Sequence, residues 1–321
     1  MYIYPFLHWN YDKVILVVVT MKRILEENDA LGRIIVKNSY EKSNAYSAYM
    51  STLFIFMGTG FSIGPVAIPI FLTWIQTSNE THEKSLPIHT EFFIDEDKYF
   101  YQLYAYQIVV ILLYIILMGA LSSFLFSAIG FVIGELHYLQ NVLEESDVKY
   151  KSKLRANKLL AHNFIVNKFK FVTHQHQNCI TLYKNLNNIT NSIMFVVIFG
   201  SSCIMVLSGS TMVILMSSDI GMAFKMSIAY FGSMIIITMI CVPSQLLSNS
   251  SDSLFMKSYS LSWDEYPPKA RRTLVMILVR TIKPLALTAG SITELNLETC
   301  SSIIKSSLSF VAGFRSLYTT V

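Results

Sequence analysis

Four stretches of this chain are long and apolar enough to cross a lipid bilayer, and this limits the fold more than any motif does. A membrane helix needs about 20 mostly apolar residues. Residues 52–75, 103–130, 193–216 and 222–247 meet that need. Backbone N–H and C=O groups in hydrocarbon must pair within the segment, so such stretches are helices. Only 14% of the 321 residues are charged, against about 25% in a soluble domain. Pattern and composition together predict an all-α integral membrane protein, with the lipid bilayer as its solvent. The apolar run 14–19 is too short to span. The N-terminus has no basic stretch ahead of its apolar residues and no small-residue cleavage site, so it does not read as a signal peptide.

Loop charge predicts orientation. The loop 76–100 carries Glu80, Glu83, Glu91, Asp95, Glu96 and Asp97 against Lys84 and Lys98. It also holds Asn79 in an Asn-Glu-Thr sequon, the glycosylation candidate, and is placed outside. The loop 135–191 carries Lys149, Lys151, Lys153, Arg155, Lys158, Lys168, Lys170 and Lys184, and 248–272 carries Lys257, Lys269, Arg271 and Arg272. Both are placed inside, as is the N-terminal part through Tyr49. The sequons at Asn188 and Asn249 then fall inside and are expected to be unused. Leu136, Leu139 and Leu143, followed by Leu154, Leu159, Phe164 and Phe169, repeat at helical spacing. They predict helices that continue beyond the membrane and pack there.

The last apolar stretch, CSSIIKSSLSFVAGFRS at 300–316, is unusually wet, with Lys305, Arg315 and six serines. On a helix Ser302, Ser306, Ser309, Gly313, Ser316 and Thr320 form one stripe, spaced four, three, four, three and four. Such a stripe is either a close-packing seam between membrane helices or the hydroxyl-lined face of a water-filled pore. Lys305 near the inner end and Arg315 near the outer end do not decide between them, because both can snorkel. The segment before it, RRTLVMILVRTIKPLALTAG, is too charged to face lipid yet amphipathic. Residues 270–285 therefore read as a cytosolic helix at the centre of an assembly, ended by Pro284 and Gly290. This neighbour favours the pore reading.

Residues 261–318 resemble the insect odorant receptors of the seven-transmembrane family. The matching run is LSWDEYPPKARRTLVMILVRTIKPLALTAGSITELNLETCSSIIKSSLSFVAGFRSLY. It holds a Trp, a Pro, a basic pair, an apolar helix with Arg, Lys-Pro, Ala-Gly, Leu-x-Leu-Glu and a Ser-rich final helix. His176-Gln177, Ser201-Ser202, the run CVPSQLLSNSSDSLFMKSYSLSW and the run LPIHTEFFIDEDKYFYQLYAYQ also resemble family segments. The resemblance implies a helical bundle of the insect odorant receptor type, with inverted topology and a cytosolic N-terminus. It implies an odorant-binding subunit of a ligand-gated, non-selective cation channel. The partners would be the Orco co-receptor in a heterotetramer and a volatile odorant, in the plasma membrane of olfactory neuron dendrites.

Several residue assignments follow from the resemblance. The last helix would line the pore through Ser302, Ser306, Ser309, Gly313, Ser316 and Leu317, with Gly313 and Leu317 at the family's outer constriction. The odorant pocket would draw on Phe54, Met57, Phe61, Tyr106, Val110, Phe224, Ser227 and Tyr230. The chain divides accordingly. Residues 1–50 are a remnant of the second helix and a cytosolic loop. Residues 51–134 are the third and fourth helices with an outer loop at 76–102. Residues 135–192 are a cytosolic helical loop and 193–247 the fifth and sixth helices. Residues 248–295 are anchor helices, and 296–321 the last helix. The first helix and most of the second are expected to be missing. A gustatory receptor of the same superfamily and a non-functional truncated copy are the alternatives. The gustatory final-helix pattern is absent, with SSLSFVAGF in its place. A G-protein-coupled receptor predicts the opposite orientation.

No sequence signature of an enzyme, cofactor site or metal site is present. His174 and His176, at i and i+2, point apart on a helix. Cys179, Cys203, Cys241 and Cys300 have no metal-ligand or CxxC spacing and read as free thiols. No basic stripe suits a nucleic acid.

Overall fold

A computed structural model describes residues 3–75, 86, 88, 96–216 and 220–319. Its α-helices are α1 (Ile3–Glu27), α2 (Ala30–Ile75), α3 (Glu96–Ala156), α4 (Lys158–Leu215), α5 (Ile220–Tyr259), α6 (Pro268–Thr281) and α7 (Leu297–Thr319). A 3-10 turn at Trp263–Glu265 and two short strands, β1 (Thr288–Ala289) and β2 (Thr293–Glu294), complete the elements. Among the described residues, α3, α4 and α5 each contain a stretch long and apolar enough to cross a membrane. The all-α membrane fold expected from the sequence is what forms.

Local chemistry sets the helix ends. The Asp29 carboxylate accepts the Gly32 N–H at 2.7 Å and caps α2. Asn157 separates α3 from α4, and its side chain accepts the N–H groups of Leu159 and Leu160 at 3.0 and 3.2 Å. Pro268 opens α6 at a position where a missing N–H does no harm. Three stretches differ from the sequence reading. Residues 1–50, read as a remnant of the second helix and a cytosolic loop, are helical from Ile3 to Glu27 and from Ala30 onward, because nothing between the Asp29 cap and Tyr49 breaks a helix. The outer loop ends at Glu96 rather than at 102, where α3 already begins. Likewise α6 stops at Thr281, three residues short of Pro284.

The chain forms two compact units. The first holds residues 1–46, 125–195 and 241–296; the second holds 47–124, 196–240 and 297–321. In the first unit Leu136, Leu139, Leu143 and Phe169 are buried, as their spacing predicts, whereas Leu159 beside the Asn157 break is exposed. Tyr266 meets Tyr150 edge-on at 5.1 Å and Phe169 at 5.3 Å. The Tyr266 hydroxyl donates to Asp147 at 2.5 Å, and Tyr150 donates to the Glu265 carbonyl at 2.7 Å. Burial and the Asp147 carboxylate beside it hold the Tyr266 phenol protonated far above its ordinary range. These bonds fasten the turn between α5 and α6. His176 is buried, and burial lowers its pKa to about 4, whereas His174 is exposed beside Glu27.

The connector after α6 is held by side chains of α4 and α5. Asn187 accepts the Thr288 N–H at 2.9 Å, and Asn191 accepts the Ser291 N–H at 2.7 Å. Ser244 accepts the Leu287 N–H at 2.9 Å, and Tyr183 donates to the Ala286 carbonyl at 2.6 Å. Gly290 and Ser291 both have positive φ, 63° and 57°, and the Ile292 N–H closes the turn on the Ala289 carbonyl at 3.1 Å. Two left-handed residues in a row make the tight turn that joins β1 to β2. A Cβ on Gly290 would lie 2.9 Å from the Phe195 ring. Gly290→Val combines a strained φ with overpacking, each worth about 1–3 kcal/mol. We expect it to lower the melting temperature of the purified chain by several degrees; an unchanged melt would show that this turn is not held as described.

Candidate functional site

The last helix, α7, belongs to the second unit. Its buried side is Cys300, Ser307 and, partly, Ile303, Ile304 and Val311. Three contacts hold that side down. Ser307 shares a hydrogen bond with the Tyr230 hydroxyl at 3.2 Å, and Cys300 Sγ lies 3.8 Å from the Thr238 hydroxyl. Gly209 leaves room for Val311 and Tyr230, since a Cβ there would come within 2.6 Å of Val311 and 3.1 Å of Tyr230. α5 and α4 thus grip one stripe of α7.

At about 100° per residue, the opposite side of α7 carries Ser302, Lys305, Ser306, Ser309, Gly313 and Ser316. All six are exposed. An open groove of about 520 Å³ runs along this side, bounded by Glu298, Ser302, Lys305, Ser306, Ser309 and Phe310. A lone membrane helix turns apolar groups outward to lipid. Here the uncovered side of α7 holds hydroxyls and a cation, and Ile303 and Val311 lie on its packed half. Leu308, Phe310 and Phe314 are also exposed, so apolar residues edge the polar stripe. A Cβ built on Gly313 meets nothing within 4 Å. The side chain of Leu317 lies outside the described residues, as do Thr320 and Asn79.

The ligand-pocket candidates all fall in the second unit, but it treats them differently. Phe54 and Tyr230 are buried; Met57, Phe61 and Ser227 are partly covered; Tyr106, Val110 and Phe224 are exposed. Phe54 packs on Tyr114, ring centroids 6.0 Å apart. Tyr230 is the candidate that reaches α7, so it connects this region to the last helix. Tyr230→Phe removes a hydrogen bond worth about 1 kcal/mol and leaves Ser307 its bond to the Ile304 carbonyl at 2.9 Å. We expect a small loss of stability and a changed dose–response to ligand. A variant indistinguishable from the native chain in both would remove the Tyr230–Ser307 contact from the functional account.

Two residues that were not read from the sequence stand beside these. Gln107, 3% exposed, accepts the Ile88 N–H at 2.9 Å and donates to the Ile88 carbonyl at 2.7 Å. Lys225, also buried, donates to the Leu86 carbonyl. α3 and α5 thereby clasp the segment around Leu86 through its backbone. A lysine inside an apolar span was the available signal, because such a group needs a partner.

The sequence matches the 7tm odorant receptor family over residues 12–308. The chain belongs to the 7tm odorant receptor family. Odorant receptor 85c of Drosophila melanogaster is 25% identical over 143 residues, 44% of this chain and 36% of that protein. Odorant receptor 19a of the same fly is 24% identical over 136 residues, 41% of this chain and 34% of that protein. The matched stretch thus spans about a third of these curated relatives. Among solved structures, the olfactory receptor OR5 of Machilis hrabei superposes with a TM-score of 0.65 at 13% identity, covering 96% of this chain and 75% of that one. The same receptor in complex with eugenol gives a TM-score of 0.63. At such identity the likeness shows the fold: this odorant receptor family member has the helical membrane fold of OR5.

Proposed function

We propose that the chain is an odorant-binding subunit of a ligand-gated, non-selective cation channel assembled with the Orco co-receptor. The observation that carries this reading is the uncovered polar side of α7. A face of Ser302, Lys305, Ser306 and Ser309 opposite the helix's packed stripe is poorly solvated by lipid, so it calls for water or protein. The same face turned toward a central axis, beside its counterparts in neighbouring subunits, lines a hydrated path. Ser302, Ser306, Ser309, Gly313, Ser316 and Leu317 are its pore-lining residues.

A second surface supports assembly. α6 buries Ala270, Leu274, Ile277 and Thr281, yet exposes Val275, Met276, Val279 and Ile282. A helix apolar on both sides has a partner on both sides, and the outer one is a neighbouring subunit. The basic loops 135–191 and 248–272 face the cytosol, and the loop bearing Asn79 lies outside. Phe54 and Tyr230, with Met57, Phe61 and Ser227 around them, contribute to an apolar ligand site. Family membership supports reading the ligand as a volatile odorant and the location as the plasma membrane of olfactory neuron dendrites.

Voltage-clamp recording from cells expressing this chain with Orco tests the reading. Odour-evoked cation currents absent from cells expressing Orco alone support it. Silence to a broad odour panel, with both proteins at the cell surface, overturns it.

A further inference from the structure

Glu135 is a buried acid with no cation paired to it among the described residues. It lies on α3, five residues beyond the apolar span 103–130, and has no exposed surface. Its Oε1 accepts a 2.5 Å hydrogen bond from the side-chain amide of Asn28, in the turn between α1 and α2. Asn28 is itself 2% exposed. The remaining oxygens of the pair, Glu135 Oε2 and Asn28 Oδ1, are both buried without a hydrogen-bond partner.

The two deficits are one deficit. An ionised carboxylate only accepts, and a primary amide has donors on its nitrogen alone. Flipping the Asn28 amide moves the shortage to the other carboxylate oxygen without curing it. A proton on Glu135 Oε2 cures both ends at once. Directed at Asn28 Oδ1, that proton would close a carboxylic acid–amide ring with one N–H···O and one O–H···O bond. Each buried polar atom is then satisfied, as buried polar atoms nearly always are.

We propose that Glu135 is a buried proton-binding site: it carries its proton on Oε2 at neutral pH, and the acid so formed ties α3 to the α1–α2 turn through Asn28. The surroundings agree. From α1, Glu27 adds a negative charge, and that carboxylate is already engaged by Gln175 at 3.0 Å and by His174 at 3.6 Å. From the turn, Asp29 caps α2 and interacts with Tyr138, the neighbour of Glu135 on α3. From α2, Arg33 donates to the Asn28 backbone carbonyl at 3.1 Å rather than to the acid. From α4, the buried Cys179 thiol feels the Glu135 charge, while the buried Gln175 amide is spent on Glu27. Among the described residues no cation pairs with Glu135. Burial pushes its pKa up to about 8, with Glu27 adding to the rise and the Asn28 hydrogen bond opposing it.

The consequence for pH has a definite sign. An unfolded glutamate titrates near about 4.3, so between there and about 8 the folded chain holds a proton that the unfolded chain has released. Stability therefore falls as pH rises through that window and levels off above it. Mild alkalinisation loosens the join between α3 and the α1–α2 turn. The inference concerns the folded chain alone and stands whether or not the chain conducts ions.

Glu135→Gln tests it in the full chain purified in detergent. The substituted amide accepts from Asn28 and donates to Asn28 Oδ1 without needing a proton. The native melting midpoint should fall by roughly 2–4 °C per pH unit between about pH 5 and about pH 8. The variant should lose that slope and melt higher than the native chain at pH 8. Infrared spectra at pH 7 should show the carbonyl stretch of one protonated carboxyl. That band should vanish in Glu135→Gln and shift in Asn28→Ala, which removes its hydrogen-bond partner. The proposal is overturned if the native chain has no such band, or if Glu135→Gln keeps the native pH slope. It is also overturned if sodium, potassium or calcium chloride abolishes the slope, since the occupant would then be a metal cation. The infrared arm on the native chain decides the matter even where a variant does not fold.

Discussion

Val279→Asp is expected to leave the chain folded and to abolish its recovery as a multi-subunit assembly. Val279 is 64% exposed on α6, beside Val275, Met276 and Ile282. Substitutions at such positions usually change the stability of the single chain by less than about 0.5 kcal/mol. In an assembly the same side chain is covered. A buried valine then contributes about 1.5 kcal/mol or more, and an unpaired carboxylate in its place costs several kcal/mol more. Those terms multiply over every copy of the interface, so association weakens by at least about a hundredfold. Light scattering of the detergent-purified complex reads the outcome. Lys269→Asp is the control, because Lys269 is exposed on the first turn of α6 and outside the apolar patch. If Val279→Asp assembles as well as the control, the outer side of α6 is not a subunit contact.

Lys305→Gln is expected to raise the permeability to calcium relative to sodium in channels containing this subunit. Lys305 stands on the exposed side of α7 in the groove with Ser302, Ser306 and Ser309. A fixed positive charge about 6 Å from a passing ion repels it by about 0.7 kcal/mol per unit charge in water-like surroundings, and by about 3 kcal/mol at an effective dielectric of 20. A divalent ion feels twice the repulsion of a monovalent one. The ratio therefore rises roughly threefold to a hundredfold when the charge is removed, and little in Lys305→Arg. Reversal potentials under bi-ionic conditions measure it. Channels that conduct normally with an unchanged ratio would place Lys305 away from the ion path.

The sequence made the membrane helices legible because a bilayer imposes a length and a polarity on anything that crosses it. The polar stripe of α7 was legible for the same reason, since Ser302, Ser306, Ser309, Gly313 and Ser316 repeat at helical spacing. Which side of α7 is covered was not legible: that depends on Gly209, Tyr230 and Thr238, which are distant in sequence and carry no motif. The pocket candidates show the same limit. Phe54 and Tyr106 look alike in an apolar helix, yet one is buried and the other exposed. The stretch 30–50 is all helix, although 1–50 reads as part helix and part loop, since its apolar residues are interrupted by charge. Its helix is instead nucleated by a local cap at Asp29 and packed through close approaches. A Cβ on Gly32 would sit 2.9 Å from the Tyr138 ring, and one on Gly134 would sit 2.8 Å from the Val36 backbone. The role of Glu135 depends likewise on Asn28, 107 residues away in sequence.

The empty space around Gly313 bears on how such a chain can diversify. Gly32, Gly58, Gly130, Gly134, Gly209 and Gly290 are hemmed in, so replacing them disturbs a neighbour, whereas Gly313 is among the open ones. At position 313 a Cβ meets no atom of its own chain within 4 Å. Alanine there can be acquired in a single chain without any compensating change elsewhere in it, and helix propensity even rises on leaving glycine. The fold is indifferent to the residue, and selection at this position is left free to act on whatever occupies the space that α7 faces.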